Sequence, residues 1–323
     1  MNESFRNNRK KIILAGGNGL IGRILSKYLN LKGYTIIILS RKKSATDKQF
    51  QYIQWDGKTP GVWCSGLENA FAVINLTGKS INCIHNEKNK RAILSSRIEP
   101  TTALLLGCAS CSVPPEIFIQ FSSIGYYGDT GHHTCDETTH HGNTFLAGVC
   151  KTWEDTFNNF PLPHTRKVVV RCGLVLSPDG GLLPPLMQIT RIFAGGAAGN
   201  GKQYISWIHH ADVAGIISLI LQTSHLTGVF NATAPSPVTN ASLMSELRKV
   251  LHRPPVPAAP AWLIRIIARY LMHTEPSLIL EGCRALPANS IAAGYIFYFS
   301  ELADALQEII GYRAMKNHLS RII

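Results

Sequence analysis

Five short apolar runs punctuate the first half of the chain: "KIILA" (11–15), "YTIIIL" (34–39), "FAVINL" (71–76), "EIFIQFSS" (116–123) and "KVVVRCGLVL" (167–176). Each has the length of a strand and is apolar on both faces, so neither side can meet water. Between them lie longer segments with helical spacing, such as Leu20 to Leu31 and Lys88 to Leu106. Strands buried on both faces and separated by helices predict an α/β protein with a doubly wound parallel sheet over about residues 1–175.

From Ser177 the pattern changes. Gly- and Pro-rich stretches, "PDGGLLPP" and "AGGAAGNGKQ", precede "YISWIHHADVAG". A short strand "GVFNATA", a helix from Asn240 to His252, a Pro-rich joint "RPPVPAAP", another helix and a last helix near Glu301 to Ile310 follow. This predicts a smaller lobe over 176–323, with returns to the first domain at about 205–235 and through the C-terminal helix. No internal repeat is evident.

The first strand runs into "AGGNGLIG", which spaces Gly16, Gly19 and Gly22 three apart at the start of a helix, with Leu20 and Ile21 inside the turn. Glycines there permit tight backbone angles, let a pyrophosphate approach the chain, and aim helix amides at it. The turn predicts dinucleotide binding; a mere tight strand-to-helix turn is the alternative. An Asp or Glu at the end of the second strand would accept from the adenosine ribose hydroxyls. The chain offers Ser40, Arg41 and Lys42 instead. Two cations and no carboxylate suit a 2′-phosphate, so the expected cofactor is NADP(H).

Composition narrows the class. The 323 residues are 45% hydrophobic and 16% charged, as in a packed globular protein. No run approaches a membrane span, since "AWLIRIIARYLM" carries Arg265 and Arg269, and "MNESFRNNRK" lacks the apolar centre of a secretion signal. A cytoplasmic protein is expected, with no membrane partner. The formal net charge of +12 comes from scattered groups, "RKK" at 9–11 and 41–43 and "KNKR" at 88–91, without interleaved aromatics. That favours an anionic small ligand over nucleic acid. The eight cysteines are dispersed, and "CASC" (108–111) lacks a second pair to complete a zinc site.

A series of motifs then identifies a resemblance. "AGGNGLIG", "VINLTGKSI", "SSRIEPTTALL", "FSSIGYYGD", "CKTWE", "VVVRCGLVLSPDGG", "SWIHHADVAG", "NATAPSPVTN" and "AGYIFYFSEL", in this order from about Lys11 to Ile310, resemble the atypical extended short-chain dehydrogenase/reductases of the epimerase-family type. The resemblance implies a Rossmann-like domain with a small C-terminal substrate lobe and NADP(H) binding. Members carry labels of oxidoreductase, sugar-nucleotide epimerase and, in some lineages, cell-division regulator. The implied substrate is a small molecule, a nucleotide-sugar or another anionic carbonyl or alcohol compound. The implied cofactor residues are Gly16, Gly19 and Gly22 on the pyrophosphate, and Arg41 and Lys42 on the adenosine phosphate. Leu76, Thr77 and Gly78 would close over the adenine-ribose side, Arg97 would reach toward the cofactor, and Ser122 and Ser123 would end the fourth strand at the ligand crevice.

One part of the resembled pattern is missing. Typical members place a Tyr four residues before a Lys on one helix face, and the ammonium lowers the phenol's pKa for proton transfer. Counted back from Glu154, those positions hold Leu146 and Cys150, and Lys151 comes one residue late. Ser123 fills the catalytic Ser position, and Tyr126 or Tyr127 is the candidate replacement hydroxyl, with packing of the crevice wall as the alternative. Arg171 either anchors an anionic substrate or braces the loop behind it. Trp207 and His209 are expected at the junction of the lobes, His209 as a general acid or base or as a structural hydrogen-bonding group, with Asp212 capping a helix that begins near Val213. The loop "HHTCDETTHH" (132–141) has metal-ligand side chains, yet the resembled family needs only a polar connection there; no metal is expected. Two readings follow: an NADP(H)-dependent oxidoreductase or epimerase-like enzyme, or a dinucleotide-binding sensor that has lost efficient catalysis.

Overall fold

The computed structural model describes residues 10–42 and 49–319. Arg9 and Lys43, members of two of the basic groups, lie outside the described residues. The first half runs β1 (Lys11–Ala15), α1 (Leu20–Leu31), β2 (Thr35–Ser40), β3 (Gln51–Gln54), β4 (Ala72–Asn75), α2 (Glu87–Ala109), β5 (Ile117–Ser123), β6 (Thr134–Cys135), α3 (Phe145–Asn159) and β7 (Arg166–Cys172). The second half runs β8 (Leu174–Leu176), α4 (Leu183–Arg191), β9 (Tyr204–Ile205), β10 (Trp207–His209), α5 (His210–Gln222), β11 (Gly228–Ala232), β12 (Val238–Thr239), α6 (Asn240–Val250), α7 (Ala261–Ile266), α8 (Ser277–Leu280), β13 (Arg284–Ala285), α9 (Ala288–Ala292) and α10 (Leu302–Leu319).

Seven strands form one sheet in the order β11-β7-β5-β4-β1-β2-β3, every neighbouring pair parallel. The doubly apolar strands explain its two covers. Alternate side chains point to opposite faces, so Ile12, Leu14, Ile36, Ile38, Ile117 and Ile119 join the core that also holds Leu25 of α1 and Ile216 of α5. Ile13, Ile37, Val73 and Phe118 face the other way, onto Leu104 of α2 and Phe157 of α3. Strand order reverses between β1 and β4, which opens the crevice where doubly wound sheets bind their ligands.

Two local expectations change. The run "KVVVRCGLVL" is two strands, because the chain leaves the sheet at Gly173. A Cβ there would lie 2.5 Å from the Ser206 carbonyl oxygen, and the Gly173 amide donates to Ala232 O at 2.9 Å. Beyond it β8 pairs with β10 outside the main sheet. Asp212 does not cap α5, which starts at His210 with His209 at its N-cap. A third core gathers Leu176, Trp207, Leu243, Leu247, Leu306 and Ile309, so α10 packs with α6 in the second half of the chain. Among the described residues no helix is long and apolar enough to cross a membrane.

Candidate functional site

The turn after β1 has one rigid side and one open side. Gly16 has φ +81° and a Cβ on it would meet the backbone of Leu76 at 2.9 Å. Gly22 packs so close that a Cβ would lie 2.4 Å from Gly17 O. Gly19 differs: its Cβ would meet only Gly16 O, at 3.4 Å. It is the N-cap of α1 in an extended conformation, and no side chain caps the helix. The amides of Leu20, Ile21 and Gly22 therefore point out of the helix end with no intrahelical acceptor, beside an open face. The chain fits a dinucleotide pyrophosphate there.

At the end of β2, Ser40 Oγ accepts the Asn18 side-chain amide (3.2 Å) and the Lys42 backbone amide (3.2 Å). Asn18 thus ties the glycine turn to the Ser40–Arg41–Lys42 turn, and Arg41 and Lys42 are both exposed.

Across the crevice a buried polar network positions the ends of β4 and β5. Asn75 donates to Thr101 Oγ1 (3.0 Å) and Gln120 Oε1 (2.9 Å). Its Oδ1 accepts the amide and hydroxyl of Thr77 (3.1 and 2.7 Å), fixing the Leu76–Gly78 segment. Trp153 Nε1 donates to Thr101 Oγ1 at 2.8 Å, joining α3 to α2. Sequence reasoning did not single out Asn75, Thr101, Gln120 or Trp153. A polar residue inside each apolar strand, Asn75 in "AVIN" and Gln120 in "IFIQF", was the available signal.

Arg97 of α2 lies against this segment. Its Cζ would be 3.3 Å from a Cβ on Gly78, Nη1 donates to Ile93 O (3.0 Å) and Lys79 O (3.2 Å), and the guanidinium sits 5.2 Å from the Trp153 ring centroid.

The two serines of β5 are used differently. Ser122 donates to Glu154 Oε1 at 2.6 Å, while Ser123 accepts the Gly125 amide at 3.1 Å. Ser122 is thus spent on α3, while Ser123 Oγ serves as an acceptor in the turn after β5. Cys150 is buried, and burial foremost pushes its thiol up to about 11; Leu146 packs beside Gly125. Lys151 pairs with Asp155 on the same helix.

Arg171 is buried and bound. Nη2 and Nε donate to Glu154 at 2.8 and 3.0 Å, and Nη1 donates to the Tyr127 hydroxyl at 3.0 Å. Burial works against its charge, but the hydrogen bonds and charge of Glu154 outweigh it and raise its pKa. The Tyr127 hydroxyl donates to Asn231 Oδ1 at 2.8 Å, and burial holds its pKa above the usual phenol value. Of the two readings for these side chains, the geometry is that of bracing and packing. Tyr126, half-buried, lies with its ring 3.4 Å from the Arg171 guanidinium carbon.

Trp207 and His209 are buried. Trp207 Nε1 donates to Ser236 O at 2.9 Å. His209 accepts the Ala211 amide on Nδ1 (3.3 Å) and meets Glu308 through Nε2 (3.1 Å); burial, with His210 beside it, lowers its pKa to about 3. Asp212 accepts the amides of Tyr298 (2.8 Å) and Phe299 (3.1 Å). In the 132–141 loop, Asp136 accepts the Thr138 amide (3.0 Å) and His141 Nδ1 meets Gly142 O (2.9 Å). Among the described residues no group of three or more His, Cys, Asp or Glu side chains is arranged to hold a metal ion.

Comparison with known proteins agrees with this architecture. Residues 12–152 match the NAD dependent epimerase/dehydratase family, and residues 259–309 match a domain of unknown function, DUF1731. The chain is 33% identical over 308 residues to the bovine epimerase family protein SDR39U1, covering 93% of this chain and 99% of that one. It is also 33% identical over 308 residues to the epimerase family protein YfhF of Bacillus subtilis, covering 94% and 98%. The crystal structure of human SDR39U1 with NADPH superposes with a TM-score of 0.83 at 30% identity, covering 93% of this chain and 98% of that one. The seven-stranded parallel sheet and the near full-length similarity make this chain a member of the NAD dependent epimerase/dehydratase family, with a Rossmann-like fold.

Proposed function

We propose that the chain is an NADP(H)-dependent oxidoreductase or epimerase-like enzyme that works in the cytoplasm on a small molecule, a nucleotide-sugar or another anionic carbonyl or alcohol compound. The observation that carries the cofactor choice is the exposed Arg41–Lys42 pair at the end of β2, with Ser40 and Asn18 behind it and no carboxylate among Ser40, Arg41 and Lys42. The related human SDR39U1 structure, named with NADPH, supports it. Gly16, Gly19, Leu20, Ile21 and Gly22 would hold the pyrophosphate, and Leu76, Thr77 and Gly78 would form the facing wall. When bound, the nicotinamide supplies or accepts hydride. Ser123 would donate to the substrate oxygen, with Tyr126 or Tyr127 of the following turn as the candidate second hydroxyl. Eight unpaired cysteines suit a reducing compartment.

Charge-assisted hydrogen bonds to a phosphate are worth roughly 1.5–3 kcal/mol each, so one well-made contact discriminates NADPH from NADH by about ten- to a hundredfold. Titration of both cofactors against the parent and an Arg41→Ala, Lys42→Ala double variant tests this. Equal parent affinity for NADH, or a preference that survives the double variant, defeats the assignment.

Leu146 and Cys150, in place of the Tyr and Lys of proton transfer, favour a second reading: a dinucleotide-binding sensor with weak or lost catalysis. A cofactor-bound crystal structure separates the two. A protein hydroxyl beside an open cavity at nicotinamide C4 supports the enzyme; a filled apolar space there supports the sensor.

A further inference from the structure

The apolar run Ala261–Met272 cannot span a bilayer, and the core does not use it either. It forms α7 and continues through a π-helical turn, Ile267–Leu271, and in that whole stretch only Ala268 is buried. Trp262, Ile266 and Tyr270 recur every four residues on one helix face and are 62, 49 and 72% exposed; Leu271 and Met272 extend the stripe and are exposed too. The other four tryptophans of the chain are at most 5% exposed. Single apolar side chains are ordinary on a surface, whereas a continuous stripe marks a contact site. The end of α4 adds Ile189, Ile192 and Phe193, likewise exposed. The chain leaving α4 is stitched to the chain entering α7, since Ala198 pairs with Ala259 and the Ala259 amide donates to Ala197 O at 2.8 Å.

Charge says what covers the stripe. From Leu182 to Thr274 the sequence carries seven Lys and Arg against two acids, and both acids are spent: Asp212 is buried on the Tyr298 and Phe299 amides, and Glu246 pairs with Lys249. Arg265 and Arg269 each precede a residue of the stripe by one position, about 100° around the helix, so they flank it. Both are exposed, and among the described residues neither forms an ion pair. Glu275 and Glu281 share a cavity of about 510 Å³ with them, but Glu275 is turned to the dinucleotide domain, where Oε2 accepts the His85 amide at 3.2 Å. A second copy of this chain is a poor occupant, because a two-fold contact through the stripe sets Arg265 and Arg269 against their own copies. An anionic bilayer suits it: the surface attracts the arginines, and the headgroup boundary takes Trp and Tyr rings.

We propose that Trp262, Ile266, Tyr270, Leu271 and Met272, flanked by Arg265 and Arg269, dock the protein on an anionic lipid surface, with α7 lying in the interface and not crossing it. The inference goes beyond the dinucleotide reading and does not depend on it. It also gives a use to two features that reading leaves aside, the net charge of +12 and the apolar run itself.

The test is co-sedimentation of the full chain with vesicles of phosphatidylcholine alone and of equimolar phosphatidylcholine and phosphatidylserine, with tryptophan emission and thermal melting of every protein. The variants are Ile266→Asp with Tyr270→Asp, Arg265→Glu with Arg269→Glu, and, as a control for charge elsewhere, Lys27→Glu with Lys88→Glu, two exposed lysines of α1 and α2. The parent should pellet with the phosphatidylserine vesicles and not with the neutral ones, and its emission should move to the blue, a signal that belongs to Trp262 because the other tryptophans are already buried. Each cation near an anionic surface strengthens binding about fivefold, so the arginine pair should lose about twenty-five-fold or more, and the apolar pair at least as much. The control should lose less than about fivefold, and all variants should melt like the parent. A parent left in the supernatant with both vesicles overturns the proposal, as does binding without a change in emission or a control that loses as much as the arginine pair. So does a parent that sediments as a dimer and becomes a monomer in the apolar variant, which makes the stripe an interface between copies.

Discussion

Replacing Gly19 with valine separates cofactor binding from folding. Gly19 has φ −70° and ψ 174°, a conformation open to a β-branched residue, and its Cβ would touch only Gly16 O at 3.4 Å. Losing glycine for valine at an N-cap costs at most about 1 kcal/mol, roughly 2–4 °C in Tm for a domain of this order. The isopropyl group stands where an anion must sit to reach the first amides of α1. If two such amides each contribute roughly 1.5–3 kcal/mol to a charged acceptor, their loss weakens binding by about a hundred- to ten-thousandfold. The assay is an NADPH fluorescence titration beside a circular-dichroism melt. Gly22→Ala is the contrast, because its Cβ would lie 2.4 Å from Gly17 O and the turn itself must move. The reasoning is refuted if Gly19→Val binds NADPH within about threefold of the parent, or if it melts as low as Gly22→Ala.

Glu154→Gln leaves the buried Arg171 charge without its partner. Breaking such a pair costs about 3 kcal/mol or more, about 6–12 °C in Tm, and a melt unchanged from the parent would show that Glu154 does not brace α3 to β7. His209 makes the fold acid-sensitive. Its folded pKa of about 3 lies below the unfolded value of about 6.5, so the unfolded state binds the extra proton. The stability of the neutral ring is therefore complete above about pH 6.5 and falls as pH drops toward 3, by at most about 1.4 kcal/mol per pH unit. Urea unfolding between pH 7 and 4.5 should show a steeper loss in the parent than in His209→Gln; parallel curves would mean that burial does not lower the imidazole's pKa.

Much of the fold was legible because local rules sufficed. Strands apolar on both faces predict a covered parallel sheet, and α1 spans Leu20–Leu31 as the spacing indicates. The glycine turn, the Arg41–Lys42 end of β2 and the serines ending β5 were readable for the same reason: each is a short segment whose place at a strand end carries its chemistry. The edge strand β3, "QYIQ", was not, since an edge needs no apolar run. Nor was the break at Gly173, which depends on the carbonyl of Ser206, distant in sequence.

The sequence by itself determined the layered α/β architecture, the glycine-rich turn after β1 and the absence of the Tyr–Lys pair, because periodicity and spacing along one element are properties of the chain alone. Only the tertiary structure decided what the isolated side chains do. Arg171 meets Glu154 from another element and becomes a brace; His209 is enclosed by His210, Phe299 and Glu308 and becomes a neutral cap. Arg97 of α2 is held by the carbonyls of Ile93 and Lys79 and by the Trp153 ring of α3. Charge, burial and partner are set by residues remote in sequence, and the energy of a buried polar group depends on all three.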